Sequence, residues 1–233
     1  MRKMINIVAI ASFAFSAIGA SEVTGNVKFI GKGPKAKPIR MDADPVCAAS
    51  HQVAAKSESF IMDKDGNLAN VLVYFKGVKY SGNVPSTPAV LDQAGCVYTP
   101  RVIGVQAGQT VKILNNDATM HNIHGLPKVN REFNKGMPKS LKEISTVFEK
   151  PEDVFVIKCD VHPWMKNYTQ VFDHPYFAVT GSDGRFSIPN VPDGTYEIVA
   201  WQEKFKNKVL TQSITVKDGA ASVNFEFTRP KKK

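Results

Sequence analysis

"VFVIKCDVHPWM", residues 154–165, begins as an alternating strand and ends in a tight loop. Strand geometry sends every second side chain to the same side, so Phe155, Ile157 and Cys159 share a face. The chain then turns through Asp160 and Val161 to His162, and Pro163 keeps the turn from winding into a helix. A thiol, an imidazole and the Met165 thioether follow one another at intervals of three and can be aimed at one point. Upstream, "VIGVQAGQTVKILNNDATMHNIH", residues 102–124, carries further strand pattern and ends on another source of imidazole. A cysteine thiolate, two histidine nitrogens and a weak methionine contact make up the donor set of a mononuclear copper centre for electron transfer. Taken singly the residues are duller: a lone buried cysteine is usually a small hydrophobe, and a lone methionine is usually core.

Outward from these motifs the chain reads as short β segments. "VTGNVKFI", "NVLVYF", "TQVFD", "FAVT", "RFSI", "YEIVAW", "TQSITV" and "SVNFEF" mix apolar and polar residues with period two, as strands buried on one face do. Turns are signalled by "KDG" at 64–66 and 217–219, "SDG" at 182–184 and "PDG" at 192–194. The pattern predicts an all-β protein built from sandwiches. Helix is confined to "DADPVCAASHQ", with Asp44 as cap and Pro45 in the first turn, and more weakly to "KSLKEIS". Seams at "GNVPSTP" and "DHPYF" divide an N-terminal β segment at 21–86 from a central region at 87–173 and a strand-rich module at 174–229; a basic tail occupies 230–233.

The chain has 233 residues and a formal net charge of +9. Its first twenty residues combine Arg2 and Lys3, an apolar run from Ile5 to Ile18 and small residues at Gly19 and Ala20, the pattern of a signal peptide cut after Ala20. The run is shorter than the roughly 20 residues that span a bilayer, which disfavours an anchor, and no later segment is long and apolar enough to cross. The protein is therefore expected to be exported, in a bacterial context periplasmic. The remaining basic excess is spread along the chain and no nucleic-acid motif accompanies it, so nucleic acid is not an expected partner. Three cysteines, Cys47, Cys96 and Cys159, are an odd number for an oxidising compartment, so one has another role. Neither a C-x-x-C nor a haem-attachment motif occurs.

Through the two quoted motifs the sequence resembles the cupredoxins, the blue-copper family, and within them the amicyanin and plastocyanin type. The short C-x-x-H-x-x-M loop is the amicyanin-like element. The resemblance implies a Greek-key β-sandwich at 87–173 and one type 1 copper ion held by His121, Cys159, His162 and Met165. It makes Asn122 the residue whose hydrogen bonds brace the ligand loop. His162 is then the ligand nearest solvent, with electrons entering by its edge beside Pro163 and Trp164. His124 competes with His121, but residues three apart on a strand face opposite sides. His51 and His174 lack ligand-spaced partners and read as structural. With Cys159 occupied, the compartment favours a Cys47–Cys96 disulfide tying the N-terminal segment to the central sandwich; two free thiols, or a small metal site with His51, are the alternatives.

The stretch "FAVTGSDGRFSIPNVPDGTYEIVAWQEKF" is similar to the transthyretin-like, carboxypeptidase regulatory-type β-sandwich, and "TGNVKFIGKGPKAKPIRM" to its first strands, so the two ends are expected to build one flanking module. The function expected is transfer of single electrons between redox partner proteins, with a dehydrogenase or a cytochrome as candidate partner. A copper carrier or sensor with the same ligands but no rapid redox cycling is the alternative. An enzyme is not expected: copper oxidases and nitrite reductases need further histidine clusters and the binuclear centre needs two cysteines in its loop, whereas this chain has five histidines and one loop cysteine. A Cys159 nucleophile with His162 as base would leave Met165 without a role. An envelope scaffold with a vestigial site is the remaining structural reading.

Overall fold

The computed structural model describes residues 22–205 and 208–229; the expected leader at 1–20 and the basic tail at 230–233 lie outside them. In chain order the elements are β1 (Glu22–Ile30), α1 (Pro45–Ala49), β2 (Leu72–Lys76), β3 (Ala89–Ala94), β4 (Val97–Thr99), β5 (Val102–Gln106), β6 (Thr110–Asn115), β7 (His121–Gly125) and β8 (Phe133–Met137). They continue as β9 (Glu143–Val147), β10 (Glu152–Lys158), β11 (Lys166–Phe172), β12 (Phe177–Val179), β13 (Arg185–Pro189), β14 (Gly194–Trp201), β15 (Leu210–Val216), β16 (Ala220–Ser222) and β17 (Phe225–Thr228).

Two sandwiches result. In the first, sheet β4-β3-β6-β9 faces sheet β5-β11-β10-β7-β8. Alternation explains the pairing: Val111 and Ile113 of β6 and Phe155 and Ile157 of β10 turn into one core with Leu91, Tyr98, Ile123 and Phe148. In the second, β1 pairs with β13, β16 and β17, and sheet β12-β2-β14-β15 lies opposite. The two ends of the chain therefore do share one sandwich, with Val23, Val27, Val73, Phe75, Ile198, Ile214 and Phe225 in its core.

β2 and the second half of β14 read as continuous apolar runs because both faces are covered. Val73, Phe75, Ile198 and Ala200 face the second core, while Leu72, Tyr74, Val199 and Trp201 meet Val102 and Phe172 of the first sandwich in a third apolar cluster. The Arg101–Glu203 ion pair, 2.8 Å apart with both side chains largely buried, closes the same seam.

Residues 37–57 belong to neither set of strands. The ends of this loop pair with each other, Ile39 N–H donating to the Ala55 carbonyl and Ser57 N–H to that of Lys37. Its tip carries α1, capped as expected by Asp44, whose carboxylate accepts from the N–H groups of Val46 and Cys47, with Pro45 in the first turn. Met41 and Cys47 enter the core of the first sandwich, and the Cys47–Cys96 disulfide fastens the loop there.

The weak helix expectation at "KSLKEIS" is corrected. Lys139 and Ser140 form a turn and Glu143–Val147 is β9, pairing along β6 from Thr110↔Val147 to Leu114↔Glu143. An open row of β6 donors and acceptors outweighs the local helix preference of a short polar stretch.

Candidate metal centre

His121 is positioned by the turn between β6 and β7. Asn115 closes that turn, donating from Nδ2 to the carbonyls of Thr119 and Met137 and accepting the Asp117 N–H on Oδ1. Asp117 accepts the N–H groups of Gly95 and Cys96 and, on Oδ2, His121 Nε2 at 2.8 Å. The ring of His121 is thereby anchored by its outer nitrogen, and Nδ1 turns inward.

Cys159 leaves the end of β10, and the loop behind it is tied at both ends. Cys159 N–H donates to the Met165 carbonyl and Met165 N–H to that of His162. The Asn122 side chain spans the loop, Oδ1 accepting the N–H groups of Asp160 and Val161 and Nδ2 donating to Asn134 and Asp160. The Cys159 sulfur accepts the N–H groups of Asn122 at 3.4 Å and His162 at 3.3 Å. Both contacts stabilise thiolate charge.

The inward atoms converge. His121 Nδ1 and His162 Nδ1 are 2.9 Å apart, His162 Nδ1 is 3.8 Å from Cys159 Sγ, and the three donors lie within 4.8 Å of one another. Two nitrogens about 2.0 Å from a shared tetrahedral ion would stand roughly 3.3 Å apart, so the imidazoles need to open by only a few tenths of an ångström. Met165 is buried in the same core cluster. One thiolate, two imidazoles and a thioether, with every outer nitrogen already occupied, fit copper.

The electrostatics favour a thiolate on Cys159 and a proton on His121, which a metal ion would have to displace in order to bind. Burial alone would push the Cys159 thiol up, but hydrogen bonding to His121 and to the N–H groups of Asn122, His162 and Val161 holds it below the usual thiol range. Burial opposes charge on His121 too, yet Asp117 and the Cys159 sulfur outweigh it and push the group up to about 9. His162 goes the other way, lowered chiefly by burial and also by the neighbouring His121, against the pull of Asp44.

The structure departs from the sequence reading at the edge of the site. His162 is only 2% exposed. Its Nε2 meets Asp44 Oδ2 at 3.1 Å and lies 3.7 Å from Cys47 Sγ, so the 37–57 loop covers the edge expected to admit electrons. Trp164 is also engaged, its indole N–H donating to the Cys96 carbonyl. The cover is possible because the disulfide and the Asp44 contacts replace solvent over the ring.

The other histidines divide as expected. His124 turns away from the donors to Asp160 and Glu132. His51 bonds the Gly95 carbonyl, and His174 lies buried with Nε2 on the Phe75 carbonyl. Asp44 and Asp117, which hold the outer nitrogens, were missed as site residues. Asp117 stands four before His121, a spacing that could have flagged it; Asp44 was legible only as a helix cap.

A family model described as polysaccharide lyase family 4, domain II, matches residues 154–223, a span that begins in β10 of the first sandwich and runs into the second, where the transthyretin-like module had been expected. No curated protein matches the chain. Among solved structures, a copper-containing nitrite reductase (NirK) from Thermus scotoductus SA-01 is 21% identical over 42% of this chain and 24% of its own, with a TM-score of 0.35. A purple cupredoxin from Nitrosopumilus maritimus is 23% identical over 36% of this chain and 99% of its own, with a TM-score of 0.31. A mutant of amicyanin in its Cu(I) form is 23% identical over 43% of this chain and 98% of its own, with a TM-score of 0.33. The chain thus spans about a quarter of the nitrite reductase it matches. At these identities and TM-scores the neighbours lend nothing to the assignment of individual residues.

Proposed function

We propose that the chain is an exported mononuclear copper protein of the type 1 kind, which passes single electrons between redox partner proteins. The observation that carries this reading is the buried convergence of His121 Nδ1, His162 Nδ1 and Cys159 Sγ, with Met165 in the same cluster. Copper held there by His121, Cys159, His162 and Met165 would supply a one-electron couple. The chain does the rest. Asp117 and Asp44 hold the rings by their outer nitrogens, two backbone N–H groups spread the charge of the sulfur, and Asn122 fixes the loop. Among the described residues no helix is long and apolar enough to cross a membrane.

The covered edge of His162 favours a second reading, a copper carrier with the same ligands, because a ring shielded from solvent exchanges electrons slowly with a docked protein. Visible absorption of the Cu(II)-loaded mature protein separates them. An intense red-end band that vanishes in Cys159→Ser supports the electron-transfer centre; a colourless protein that still holds Cu(I) tightly supports the carrier. A protein that binds no copper overturns both.

A further inference from the structure

The four donor residues of the first site are each no more than 2% exposed, and Cys47 and Cys96 beside them are fully buried in the same core. Next to His162 Nε2 lie Asp44 and Cys47, while next to His121 Nε2 lies Asp117, which also holds the Cys96 backbone. The donor atoms therefore form three neighbouring groups. His121, Cys159 and His162 make the inner one; Asp44, Cys47 and His162 make a second, and Cys96, Asp117 and His121 a third, each with its atoms within 4.8 Å. The two outer groups are joined to each other by the Cys47–Cys96 disulfide. Two sulfurs and two carboxylates thus sit directly against the outer edges of both ligand histidines, and the copper reading uses the sulfurs only as a fastening for the loop.

We propose that Cys47 and Cys96, once reduced, form a bis-thiolate site for Cu(I) beside the first site. A dithiol reductant opens the site by exchange: the S–S bond breaks, the dithiol gives up two electrons and two protons and becomes a disulfide, and two thiols form. Cu(I) then bonds both sulfurs and displaces the two thiol protons to solvent, with no change in its oxidation state. Soft sulfur selects the monovalent ion, and Asp44 and Asp117 add negative charge beside it.

The backbone on either side keeps its place when the bond is cut, because other contacts hold the loop, and the two side chains rotate their sulfurs apart to admit the ion. Asp44 bonds Thr119 Oγ1 at 2.9 Å as well as His162. His51 donates to the Gly95 carbonyl, and the loop's ends pair at Ile39–Ala55 and Ser57–Lys37. On the other side Asp117 holds the N–H groups of Gly95 and Cys96. The choice of copper rests on the reading of the Cys159 site, but the donors are different residues, so the two can fail separately.

The test counts Cu(I) equivalents by anaerobic competition with bathocuproine disulfonate. Mature protein is titrated with its disulfide closed, with ascorbate as reductant, and again after a phosphine has opened the disulfide and been removed. One equivalent is expected closed and two open. Cys159→Ser should bind none closed and one open, and the double variant Cys47→Ser, Cys96→Ser one in both conditions, with circular dichroism checking its fold. A reduced wild type that binds no more than the closed form overturns the proposal without recourse to a variant. So does a folded double variant that still gains an equivalent. If Cys159→Ser binds as the wild type does while the reduced protein still gains an ion at Cys47 and Cys96, the inner site is overturned and the outer one stands.

Discussion

Asn122 uses both ends of its amide on the ligand loop, and its N–H reaches the Cys159 sulfur besides. Asn122→Ala removes the acceptor of two loop N–H groups. It should cost about 1–3 kcal/mol, read as a shift in the urea midpoint of the metal-free protein. Copper affinity should fall by about 10–100-fold, because the loop that aims Cys159 and His162 is no longer fixed. Loss of stability with unchanged affinity would mean that the loop is preformed without this side chain. Asp44 divides its oxygens, Oδ1 to the first turn of α1 and Oδ2 to Thr119 and His162. Asp44→Ala should cost about 0.5–2 kcal/mol through the lost cap. It should also speed modification of His162 by diethyl pyrocarbonate, and an unchanged rate would show that the disulfide alone seals the ring. At this scale the gathering of His121, Cys159 and His162 was legible, because sulfur and imidazole at short spacing after strands have few other uses. The carboxylates behind them were not, because Asp44 and His162 are 118 positions apart in sequence and only the fold joins them.

The connection between β7 and β8 turns on Glu152, the first residue of β10, which accepts the N–H groups of Lys128, Val129 and Asn130. Burial would raise the Glu152 pKa, but these donors and the Asn130 amide outweigh it and lower the group below the usual glutamate range. A folded pKa below the unfolded one contributes stability that is fully present above about pH 4.3 and lost as pH falls through the folded value. Thermal unfolding from pH 7 to pH 3 should therefore show Glu152→Gln below wild type at neutral pH, with the gap closing in acid. A gap independent of pH would place the loss in packing rather than in the charge. The same region shows how strands escape a reading of local pattern. β8 and β9 lie at the edges of their sheets; β8 buries only Met137, and β9 alternates between exposed and half-buried residues and buries none, so neither announces itself as β6 and β10 do. Tertiary pairing, along β7 and β6, makes them strands.

At the scale of the molecule, the pairing of β1 with the C-terminal strands was expected only through the resemblance of both stretches to one kind of module, not from local pattern. The path of residues 37–57 was not, since nothing local says that this loop leaves one sandwich to cover the other. What couples the sandwiches is the apolar seam of Leu72, Tyr74, Val102, Phe172, Val199 and Trp201, with Arg101 and Glu203 beside it. Arg101 Nη2 reaches both Glu203 oxygens, at 2.8 and 3.1 Å, and its guanidinium lies 5.5 Å from the centre of the Tyr168 ring. Arg101→Ala would strand the Glu203 carboxylate in a mostly apolar seam, where loss of one partner of a buried pair costs about 3–5 kcal/mol. Because that cost falls on the seam and not on either core, calorimetry should show one cooperative transition in the wild type and two in the variant, the first sandwich unfolding apart from the second. Replacing both partners, Arg101→Met with Glu203→Leu, removes the stranded charge and should restore a single transition. If Arg101→Ala lowers one transition without splitting it, the apolar residues alone bind the two sandwiches into one folding unit, and the ion pair serves only to fix how they face each other.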